Sequence, residues 1–114
     1  MSLKEAEIKK EDVSYKLSIL DLENAVVAFF YEGKIKMGTL ALAIPHRAEG
    51  EATTSSVLLG GKYLIASRAL AERVAALFSK MSLVSLHTSL PDAEAFKIFV
   101  RLLEEFLIRN RQAL

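Results

Sequence analysis

The chain has 114 residues, 52% of them hydrophobic, and its 15 Lys and Arg against 14 Asp and Glu give a formal net charge of +1. That length suits one domain with a single core, and near-neutral charge without a basic cluster excludes nucleic acid as the main partner, since Lys9-Lys10 runs straight into Glu11-Asp12. Cysteine is absent, so disulfides and thiolate chemistry are excluded and a cytoplasmic setting is the expectation.

Residues 1–12 are polar, alternate in sign and lack the apolar core of a signal peptide. They read as a mobile or weakly helical lead-in to one domain at 13–114. From Val13 the pattern turns to strict alternation, with Val13, Tyr15, Leu17 and Ile19 facing one way and Ser14, Lys16 and Ser18 the other. That is a half-buried strand. Asp21-Leu22-Glu23-Asn24 supplies turn chemistry.

Residues 25–31 form the longest apolar run, far too short to cross a bilayer, so no membrane partner is expected. Rich in β-branched and aromatic side chains, the run suits a strand covered on both faces. Glu32-Gly33-Lys34 reads as a tight hairpin connection, with Gly33 free to take positive φ. Residues 35–44 alternate again: Ile35, Met37, Thr39, Ala41 and Ala43 against Lys36, Gly38, Leu40, Leu42 and Ile44. Pro45 ends that strand, a charged loop follows over 46–51, and residues 53–59 make a fourth strand stopping at Gly60-Gly61. Four strands joined by short links predict an antiparallel meander.

The period then changes. Leu70, Val74, Leu77, Phe78 and Met81 recur at helical spacing, with Ser67 placed to cap the first turn. Residues 83–88 are a short strand candidate. Ser89-Leu90-Pro91-Asp92 is a helix start, and Phe96, Phe99, Val100, Leu103, Phe106 and Leu107 share one face of the helix that follows. Arg101, Glu105 and Arg109 form i,i+4 pairs on the solvated side. The fold class is therefore α+β: one antiparallel sheet of five or six strands with two helices packed on one face. The other face, carrying Leu40, Leu42 and Ile44, is apolar too and calls for a partner, so the domain is expected to dimerise through it.

No catalytic constellation assembles. Gly60-Gly61-Lys62 matches only the tail of a phosphate-binding loop, because Tyr63 stands at the Ser/Thr position and Ser56 at that of the first glycine. A glycine pair closing a strand explains it. His46 and His87, on separate elements, read as surface or strand-end histidines, not as metal ligands. The hydroxyls of residues 53–56 have no base placed to activate them. Glu104 and Glu105 read as solvated ion-pair partners. The chain is expected to be no enzyme and to hold no metal or cofactor. Asn occurs only at 24 and 110 and Gln only at 112, a scarcity of thermolabile amides that suits a thermophilic source.

Taken in order, Lys36-Met37-Gly38-Thr39-Leu40, Val57-Leu58-Leu59-Gly60 and the helix-strand-helix finish resemble the proteasome assembly chaperones. The likeness is to the small third and fourth types and their archaeal relatives, and it spans residues 13–107. It implies a non-enzymatic chaperone that dimerises, with itself or with a paralogue, and binds α-type proteasome subunits during ring assembly. Larger relatives carry a C-terminal hydrophobic-Tyr-X tail, whereas this sequence ends Gln112-Ala113-Leu114, so ring contact would use another surface. Met37, Thr39, Leu40 and Leu42 are the expected pairing surface. His46, Arg47, Glu49 and Glu51 form the expected client-contact loop. The alternative, of another class, is a dimeric small-molecule binding or sensing domain in which the open apolar face lines a ligand cavity.

Overall fold

In the computed structural model, which describes residues 3–45 and 54–112, eight elements follow one another. They are β1 (Leu3–Lys10), β2 (Val13–Asp21), β3 (Ala25–Glu32), β4 (Thr39–Ile44), β5 (Thr54–Leu59), α1 (Leu64–Phe78), β6 (Met81–His87) and α2 (Asp92–Gln112). The six strands form one sheet in the order β1-β2-β3-β6-β4-β5. All pairs are antiparallel except β3 with β6. The α+β architecture, with both helices on one face, is the one the sequence predicts.

Three local expectations are corrected. Residues 3–10, read as a lead-in, pair along their length with β2 from Leu3–Leu20 to Lys10–Val13. An edge strand needs few apolar contacts, and Ala6 and Ile8 supply them on the helix side while the charges stay in water. Its turn places Glu11 and Asp12 both at positive φ, 51° and 66°, which matches the right-handed strand twist. Second, β3 and β4 do not form a hairpin. Gly33 does take positive φ (74°), but its N–H donates to Ser14 O, and the chain leaves the sheet so that β6 enters between them. Third, α1 starts one turn before Ser67. Tyr63 occupies the cap in left-handed geometry, and the Ser67 hydroxyl bonds back to Tyr63 O at 2.6 Å.

The core lies between sheet and helices. Leu17 and Ile19 of β2, Phe30 of β3, and Val84 and Leu86 of β6 meet Leu70 and Val74 of α1 and Phe99, Leu102 and Leu103 of α2. Burying each such side chain contributes roughly 1.5–3 kcal/mol. Phe99 is the hub, with Tyr15 and Phe30 both edge-on to it at 5.9 and 5.7 Å. Small residues set the approach of α1: Ala41 and Ala43 of β4 join Ala66, Ala71 and Ala75 in the same cluster. The helices are tied by Arg73, 5.9 Å over the Phe96 ring and 3.7 Å from Glu104.

Candidate interaction surface

Because side chains alternate along a strand, the face turned from the helices is fixed by register. Leu3, Leu20, Val27, Leu83 and Leu42 are successive partners across β1, β2, β3, β6 and β4. They form one apolar row across five strands, with no helix over it. The next row runs Glu5, Ser18, Phe29, Ser85, Leu40 and Leu59. A third contains Glu7, Lys16, Tyr31 and His87. The open face thus grades from apolar to charged along the strand direction.

The two serines of the middle row are satisfied internally. Ser18 Oγ and Tyr31 Oη lie 3.1 Å apart, and Gly38 N–H donates to Ser85 Oγ at 2.8 Å. Both serines are buried, so the central row can be covered without stranding a hydroxyl.

Of the residues expected to form the pairing surface, Leu40 and Leu42 lie on this face, half-buried. Met37 is 62% exposed in the segment between β3 and β4. Thr39 points the other way: it is 6% exposed and donates to Lys62 O, so it cannot offer its side chain to a partner there. His46, Arg47, Glu49 and Glu51 lie outside the described residues. Leu20, Val27, Phe29 and Leu83 complete the face; the run 25–31, expected to be covered on both sides, leaves Val27 and Phe29 half-buried on the side without helices. Exposed apolar side chains also gather where β5 runs into α1, with Leu59 at 63% and Ile65 at 76%.

At the far end of β3 a polar knot anchors the second helix. Glu32 accepts from Ser89 N–H and Oγ and from Thr88 Oγ1, so Ser89 serves the carboxylate and not the helix cap. The Tyr63 hydroxyl donates to the carbonyls of Thr88 and Leu90 at 2.6 and 2.7 Å. Burial, then Glu32 and Asp92, hold the Tyr63 pKa above its usual value. These contacts organise structure: each donor and acceptor is held by a neighbour in the fold. Ser55 likewise donates to Glu72 at 2.5 Å and accepts from Arg68. Among the described residues no group of three His, Cys, Asp or Glu side chains could hold a metal ion, and no helix is long and apolar enough to cross a membrane.

No known protein family matches the sequence, and no curated protein does. The fold has a solved counterpart. A chain from the crystal structure of a novel chaperone complex for yeast 20S proteasome assembly superposes with a TM-score of 0.66 at 11% identity, covering 93% of this chain and 98% of that one. The chain therefore has a proteasome assembly chaperone-like fold.

Proposed function

We propose that this chain is a non-enzymatic, cytoplasmic proteasome assembly chaperone of the small third and fourth types. In this reading it pairs with a second copy or a paralogue and binds α-type subunits during ring assembly. The observation that carries the reading is the apolar row Leu3-Leu20-Val27-Leu83-Leu42, left uncovered on a fold like that of the yeast complex. A stable pairing would cover about 800 Å² per subunit. Leu40, Leu42 and Met37 contribute to the surface, and residues 46–51 are the proposed client contact.

Size-exclusion chromatography with light scattering tests this, run on the chain alone and with purified proteasome α subunit from the same source. The expected result is a dimer that co-elutes with the α subunit at defined stoichiometry. A strict monomer across micromolar concentrations overturns the pairing. A dimer that ignores the α subunit moves the function to ligand binding at the paired face, which thermal shift against a metabolite panel would then detect.

A further inference from the structure

On the helix side of the sheet, the end of the β1–β2 hairpin and the first half of α2 bound a groove of about 650 Å³. Ile8 and Ile98 line its apolar part. Lys9, Lys10, Lys97 and Arg101 also line it, against the carboxylates Glu11 and Glu94. Cations outnumber anions by two. Arg101 lies 3.4 Å from Glu105, whereas among the described residues Lys9, Lys10 and Lys97 have no ion-pair partner.

Tyr15 lies in the same wall. It is 6% exposed and packed edge-on to Phe99, and its hydroxyl makes no hydrogen bond among the described residues. No fully occluded side-chain polar atom there lacks a partner, so this hydroxyl must reach the space of the groove. That hydroxyl, without a protein partner, can donate to an acceptor placed in the groove. Burial, then Glu32, Glu11 and Glu94, raise its pKa. β1 is also the outer strand of the sheet, so the backbone groups of its free edge stand beside the groove, where an extended chain can add to them.

We propose that this groove binds an acidic peptide segment of a partner protein. A ligand carboxylate pairs with Lys97, a neutral backbone carbonyl of the segment accepts from the Tyr15 hydroxyl, and an adjacent apolar side chain packs on Ile8 and Ile98. The inference is independent of pairing through the open face, because the groove lies on the opposite side of the sheet.

The test is fluorescence anisotropy with the full chain and two labelled peptides, one alternating glutamate with leucine and one with glutamine in place of glutamate. Saturable binding of the acidic peptide is expected, with the glutamine peptide about tenfold weaker. Lys97→Glu should weaken the acidic peptide by about tenfold and Tyr15→Phe by about threefold, both with unchanged circular dichroism. Absence of binding, equal binding of the two peptides, or undiminished binding by both variants overturns the proposal. So does Lys97-dependent binding to phosphatidylserine vesicles in place of the peptide.

Discussion

Thr39 Oγ1 donates a 2.6 Å hydrogen bond to the carbonyl oxygen of Lys62, tying the first residue of β4 to the turn that launches α1. Thr39 also fills the space beside Gly60, where an added Cβ would stand 3.1 Å from its Cβ. Thr39→Val keeps the shape and removes the donor. The expected cost is about 1–2 kcal/mol in urea unfolding, with the oligomeric state unchanged because the side chain faces the helices.

Tyr63→Phe removes the hydroxyl shared by Thr88 O and Leu90 O, and should cost about 1–3 kcal/mol by leaving two carbonyls without that donor. The pH dependence has a fixed sign. Tyr63 and Tyr15 both have pKa values raised above 10.0 in the fold. Their contribution is therefore fully present below pH 10.0 and declines as pH rises through the folded values, because the unfolded chain ionises first. Unfolding followed by tyrosinate absorbance should show stability falling above that pH, and falling less steeply in Tyr63→Phe.

Gly38 has no room for a side chain: an added Cβ would collide with the Leu86 carbonyl oxygen and stand 2.9 Å from the His87 Cα. Gly61 has nothing within 4 Å of that position. Gly38→Ala should cost more than about 3 kcal/mol or leave the chain insoluble, whereas Gly61→Ala should stay within about 1 kcal/mol of the parent in thermal unfolding.

Leu42→Glu and Leu83→Glu place a carboxylate in the middle of the open apolar row. Under the proposed function, light scattering should report monomers, with association weakened more than about a hundredfold, since an unpaired charge in a covered interface is strongly disfavoured. Circular dichroism should be unchanged, because neither side chain belongs to the helix-side core.

Lys80 reaches across to Asp21 at 2.8 Å and to Leu22 O, yet both charged side chains remain partly in water. Lys80→Ala should cost less than about 1 kcal/mol, and the difference should shrink in high salt.

For β2 and α2 the sequence carried the answer: the alternation of the one and the Phe99-centred stripe of the other are both present as read. What the sequence hid were relations between distant segments. Gly33 has the conformation a hairpin requires, but nothing in the composition of β3 distinguishes a neighbour reached by a turn from one that α1 delivers only at Met81. Ser67 has the chemistry of a cap, yet a helix can start at a left-handed Tyr63 when that tyrosine is anchored through its hydroxyl. The charges of β1 masked a strand because two side chains, Ala6 and Ile8, suffice to seat it. Tyr15 read as an ordinary core position, and only the packing of α2 exposed the groove beside its hydroxyl.

The central position of β6 has a consequence for how the protein is made. On a ribosome β1, β2 and β3 can assemble early, and β4 with β5 after them, but the two groups share no edge until residues 81–87 have emerged. Each therefore waits with an unpaired, apolar central edge, the kind that pairs with the wrong chain. Folding is a late, closing event dominated by contacts far apart in sequence, so refolding should be slow for a domain of this size. A chain stopped before Met81 would lack the one strand that makes its sheet continuous.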